Sequence, residues 1–109
     1  MLYTTTETIP NKDIVEVLGV VMGNIVQSKH IGRDFMAGLK TIIGGEIRGY
    51  TEMLTESRNA AIERLIESAK SKGADAVVGV RFTTSSIMEG SAEIMAFGTA
   101  VKLINKQSI

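Results

Sequence analysis

The stretch Gly73-Ala74-Asp75-Ala76-Val77-Val78-Gly79-Val80 constrains this chain most. It closes a long amphipathic helix and opens a buried strand with no linker between them. Glu46 to Lys72 reads as that helix, about 40 Å long at 1.5 Å per residue. Tyr50, Leu54, Ala61, Ile62, Leu65 and Ala69 recur at spacings of three, four and seven, which gives a single apolar stripe. Glu46 suits the positive end of the helix, and Lys70 and Lys72 suit the negative end. Gly73 suits the left-handed position that stops it.

The rest of the chain supplies strands around that helix. Leu2 to Thr5 can form a short strand, and Pro10-Asn11-Lys12-Asp13 is a turn. Ile14 to Val26 is rich in Val and Ile and reads as a first long strand. One of its faces carries Ile14, Glu16, Leu18, Val20 and Met22; the other carries Val15, Val17, Val21 and Ile25, with Gly19 and Gly23 interspersed. Asp34 can cap a short helix from Phe35 to about Ile43, which Gly44-Gly45 would end. Ala76 to about Ser85 is a second strand and Ala92 to Ile104 a third, joined by the hairpin turn Met88-Glu89-Gly90-Ser91. Ile94 to Val101 holds no charge, as befits a strand with neighbours on both sides. The expected fold is therefore one α+β domain over residues 1–109. It has two layers, with an antiparallel βαββ sheet, the last strand central and one long helix across one face. Ala96, Gly98 and Ala100 share a face of that strand and are small enough for a helix to lie close.

A sheet covered by a single helix should show polar residues on its other face. Here the opposite face of the third strand carries Met95, Phe97, Val101 and Leu103, and the first strand is apolar on both sides. Four or five such side chains left in water would each forgo on the order of 1.5–3 kcal/mol, a total that rivals the stability of a small domain. Another copy of the chain is the expected cover, and the N-terminal segment the alternative.

Composition narrows the classes of function. A chain of 109 residues buries roughly 65% of its unfolded surface. Lys+Arg and Asp+Glu balance at 12 each, so the electrostatic footprint of a nucleic-acid or anionic-membrane binder is missing. Aromatic residues make up 5%, too few for a base-stacking platform. No run approaches the roughly 20 apolar residues that span a bilayer, and the N-terminus lacks the pattern of a signal peptide. A soluble cytoplasmic protein is the expectation. Cysteine is absent, so disulfides and thiolate ligands are excluded.

The order of motifs resembles a known family. Val20-Val21-Met22-Gly23, Ile31-Gly32-Arg33-Asp34-Phe35-Met36-Ala37-Gly38-Leu39, Ile43-Gly44-Gly45, Tyr50-Thr51-Glu52, Gly73 to Val80 and Gly98-Thr99-Ala100-Val101 follow one another as in the YbjQ-like family, which also carries a heavy-metal-binding label. The match covers Leu2 to Leu103. The resemblance implies a dodecin-like βαββ core that assembles as a homo-oligomeric ring, most simply a pentamer. It implies no particular activity.

Candidate chemistry is sparse. Soft-metal sites want Cys or several His at close spacing, whereas this chain has no Cys and one His, His30. The expectation is no metal and no cofactor, although symmetry could gather carboxylates for a harder ion. Gly44-Gly45 before a helix suggests an anion nest, or simply a turn. Arg33, Asp34, Arg48, Tyr50 and Glu52 bracket it. They can bind an anionic small molecule between subunits, bridge subunits directly, or serve as a cap and an ordinary i,i+4 pair. With Phe35, Leu39, Ile42 and Ile43 nearby, the whole segment from Arg33 to Glu52 is expected at the subunit boundary. Binding or scaffolding is expected over catalysis, with a metal-binding module or an enzyme site between subunits as alternatives.

Overall fold

The computed structural model describes residues 1–28, 42–43, 46–88 and 91–107, with backbone alone for 28, 42–43 and 46–50. Its elements are β1 (Leu2–Tyr3), β2 (Lys12–Ser28), β3 (Ile42–Ile43), β4 (Glu46–Ile47), α1 (Arg48–Ser71), β5 (Ala76–Met88) and β6 (Ser91–Asn105). Among the described residues one sheet runs β1-β5-β6-β2, and β3 and β4 form a separate two-stranded ladder. The last strand is central: β6 is antiparallel to β2 on one side and to β5 on the other.

One strand departs from the antiparallel expectation. β1 lies parallel to β5, so the sheet is mixed. The N-terminal segment continues that ladder beyond Tyr3. Thr4 N–H donates to the Val77 carbonyl at 3.0 Å, Val80 N–H to the Thr4 carbonyl at 2.9 Å and Gly79 N–H to the Thr6 carbonyl at 2.9 Å.

The helix packs through its small residues. Ala61, Leu65 and Ala69, one turn apart, are buried together with Val21, Val77, Val80, Ile94, Ala96 and Ala100. Ser57 holds the next position along that stripe, while Leu54 is 41% exposed and lies outside it. Ala96, Gly98 and Ala100 lie under the helix layer as their size suggests. Gly23 of β2 makes the closest approach. A Cβ there would collide with the Ala61 carbonyl and the Leu65 amide nitrogen of α1.

The helix stops at the expected glycine. Gly73 has φ +77°; its N–H donates to the Lys70 carbonyl at 2.9 Å, and Ala74 N–H donates to the Ala69 carbonyl at 3.1 Å. Asp75 then fastens the chain to the sheet. Its N–H donates to the Val101 carbonyl at 2.9 Å, and its Oδ2 accepts from Leu103 N–H at 2.9 Å. Two hydrogen bonds to the central strand take the place of a linker.

The start of the helix differs from the sequence expectation. Ile42 and Ile43 pair with Ile47 and Glu46, so these four residues are extended, not helical, and α1 begins at Arg48. β-branched isoleucines favour extended backbone. Residues 35–41 of the expected short helix, and its cap Asp34, lie outside the described residues.

The second face of the sheet is covered at one end. Ala76, Val78 and Val101 pack against Ile9, Ile14 and Leu103, so the N-terminal segment does fold over part of it. Toward the other end Val20, Met22 and Val26 are 62%, 55% and 54% exposed.

Candidate functional site

Most of the residues singled out from the sequence fall outside the described region. Arg33, Asp34, Gly44 and Gly45 lie there, as does His30. Arg48 and Tyr50 belong to the first turn of α1, and Glu52 follows as an exposed residue of the same helix. Glu46-Ile47 separates Gly44-Gly45 from the helix start, so the glycines do not directly precede a helix N-terminus.

A cleft appears elsewhere. Tyr3, Thr4, Thr5, Arg58, Asn59, Ile62, Val80 and Phe82 enclose about 380 Å³ between the N-terminal segment, α1 and β5. Its walls follow from strand register. β5 slips by one residue between Val78 and Arg81, where Gly79 takes φ +62°. Beyond that bulge Phe82 sits opposite Ala96 and shares its helix-side face, while Arg81 sits opposite Phe97 on the other face. The N-terminal wall is held in place by Arg81, whose Nη1 donates to the Thr5 and Val80 carbonyls, each at 2.9 Å.

The cleft has an apolar floor and one cation. Val80 is buried, Ile62 partly so, and Phe82 is 47% exposed. Arg58 makes one hydrogen bond among the described residues, a 3.3 Å contact from Nη2 to Thr55 Oγ1. Sequence reading did not find this site. Arg58-Asn59 lies off the apolar stripe and looks like solvated helix surface. The available signal was Phe82, an aromatic residue in a strand that is otherwise polar between Val80 and Ile87.

The uncovered sheet face is the second candidate. Paired residues form rows across it: Val20, Thr99 and Val78; Met22, Phe97 and Arg81; Asn24, Met95 and Thr83. Met95, Phe97 and Thr99 are partly buried, whereas Val20 and Met22 are exposed. The sheet also ends in unpaired backbone. Among the described residues β2 has no strand on its outer side, and the N-terminal segment covers β5 only as far as Val80.

The comparisons with known proteins place the chain. A family model described as "Putative heavy-metal-binding" matches residues 1–104. The chain belongs to the YbjQ family. A UPF0145 protein of Psychromonas ingrahamii is 76% identical over 103 residues, covering 94% of this chain and 98% of the relative. One from Shewanella frigidimarina is 75% identical over 103 residues, covering 94% and 96%. A crystal structure of a DUF74-family protein of unknown function from Pediococcus pentosaceus superposes with a TM-score of 0.64 at 17% identity, covering 95% of this chain and 98% of that one. That likeness establishes the fold alone.

The YbjQ description implies a heavy metal and therefore donors able to hold it. Zinc and other borderline or soft ions take thiolates, clustered imidazoles or, for the softest, thioethers; this YbjQ-family chain has no cysteine, a single histidine and six methionines, of which Met22 and Met95 lie on the strands of the sheet. Among the described residues no three of His, Cys, Asp and Glu come together. Among the described residues of a single chain, the donors present do not make a heavy-metal site. Among the described residues, no helix is long and apolar enough to cross a membrane.

Proposed function

We propose that this YbjQ-family chain is the subunit of a closed homo-oligomer and acts in binding or scaffolding, not catalysis. The observation that carries the proposal is the open face of the sheet, where Val20, Met22 and Val26 stand more than half exposed beside Met95 and Phe97. Covering each such side chain is worth on the order of 1.5–3 kcal/mol, so a neighbour that covers the row gains about as much as a small domain's net stability.

The two edges left unpaired among the described residues support a ring over a simple pair. β2 and the outer half of β5 lie on opposite sides of β6. A contact between two different surfaces of identical subunits is head-to-tail, and it closes into a ring when the rotation permits. Closure also removes the exposed edges that otherwise invite aggregation. Five subunits is the number the sequence resemblance implies. On sequence grounds, the segment from Arg33 to Glu52 belongs to the same boundary.

Sedimentation velocity of Met22→Lys tests this reading. Met22 is 55% exposed in the isolated subunit, so a charge there leaves the monomer's fold intact and obstructs the covered face. The variant should sediment as a smaller species than the unaltered protein, while Glu67→Lys on the exposed helix face should not. Equal sedimentation of all three would refute the face as an interface.

A further inference from the structure

The cleft between Tyr3, Arg58 and Phe82 adjoins the outer half of β5 and has a chemistry of its own. We propose that it binds a small aromatic monocarboxylate, with the carboxylate on Arg58 and the ring between Phe82 and Ile62. Its volume of about 380 Å³ lies in the range of small-molecule sites, which are largely apolar with a few placed polar groups.

Three observations select the ligand. First, Arg58 is a guanidinium whose one hydrogen bond among the described residues is the contact to Thr55 Oγ1 at 3.3 Å. Its planar fork matches a carboxylate in bidentate fashion. Second, among the described residues it is the only cationic side chain lining the cleft, because Arg81 is directed to the Thr5 and Val80 carbonyls. One positive charge suits a monoanion better than a phosphate dianion. Third, Phe82 is exposed on the helix side of the sheet beside Ile62 and Val80. An aromatic face of this kind favours an aromatic ligand through offset or edge-to-face contact. Asn59, beside Arg58 on the same wall, supplies an amide for the second carboxylate oxygen or for a ring hydroxyl.

The wall is built before any ligand arrives. Thr4 and Thr6 are laddered to β5 by backbone hydrogen bonds, and Arg81 pins the Thr5 carbonyl. A preformed site loses little to ordering on binding.

Isothermal titration of the purified protein with phenylacetate, 4-hydroxybenzoate and indole-3-acetate tests the assignment, with acetate, benzyl alcohol and inorganic phosphate as comparison probes. At least one aromatic acid should bind once per subunit with Kd below about 1 mM. It should bind at least about tenfold more tightly than acetate, benzyl alcohol or phosphate. Arg58→Ala should abolish the preference for the acid over the alcohol while leaving the melting temperature unchanged, and Phe82→Ala should abolish the preference for the aromatic acid over acetate. Amide NMR shifts on binding should centre on Thr4, Thr5, Asn59 and Phe82. The assignment is overturned if no aromatic acid binds below that limit, if phosphate binds more tightly, if either variant keeps its preference, or if the shifts map elsewhere.

Discussion

Gly23 of β2 lies against the backbone of Ala61 on α1 so closely that the helix sits directly on the strand. A Cβ at Gly23 would overlap the Ala61 carbonyl oxygen and the Leu65 amide nitrogen, and would fall 2.8 Å from the Arg64 carbonyl carbon. All three obstacles are backbone, which cannot rotate aside. At Gly98 the first obstacle is the Val77 Cγ1 methyl at 2.8 Å, a side chain, followed by the Val78 carbonyl oxygen at 3.0 Å. Gly23→Ala should therefore destabilise the fold by about 3 kcal/mol or more, against about 1–2 kcal/mol for Gly98→Ala. Urea denaturation of the two variants measures the difference. Equal midpoints would show that the helix is not seated on Gly23.

A polar bridge joins the same two elements further along. Ser57, buried on α1, accepts from Gln27 Nε2 at 2.6 Å and donates to the Met53 carbonyl at 2.8 Å. Ser57→Ala leaves the partly buried Gln27 amide unpaired and should cost about 1–2 kcal/mol. Ser57→Ala combined with Gln27→Leu should recover most of that loss, because both polar partners are then gone. A double-mutant cycle by chemical denaturation reads the coupling. Strict additivity would mean that the bridge contributes nothing.

The helix stop gives a third prediction. Gly73 at φ +77° sits where a Cβ is strained although nothing stands within 4 Å of it. Gly73→Ala should cost about 1 kcal/mol, and Gly73→Asn less, since Asn tolerates the left-handed region. Thermal melts of both variants should rank in that order. An unchanged melting temperature for Gly73→Ala would contradict the capping role.

Particular residues explain which parts of this architecture could be read from sequence. The uncharged run Ile94 to Val101 put β6 in the centre, and Gly73 marked the end of α1, because both signals are local and physical. The small face Ala96-Gly98-Ala100 correctly announced a close helix, but the tightest contact is at Gly23, one glycine in a strand whose pairing partner cannot be known from its own residues. Two bulges in β2, near Val15 and Leu18, also break the simple alternation that sorts its faces. Arg64, which reads as free helix surface, donates from Nη1 to the Asn24 carbonyl at 2.6 Å. The cleft was hidden for a related reason. Tyr3, Arg58 and Phe82 come from three distant segments, and the shared face of Phe82 depends on a bulge at Gly79. The parallel pairing of β1 likewise rests on a two-residue strand with no pattern of its own.

Native mass spectrometry of the unaltered protein at micromolar concentration bears most directly on the uncovered sheet face. Val20 and Met22 on β2, with Met95 and Phe97 on β6, should be covered by a neighbouring copy. The spectrum should show one dominant species larger than a dimer, at five times the subunit mass for the proposed ring. A clean monomer would contradict the account, because its apolar sheet face would then stand open to water.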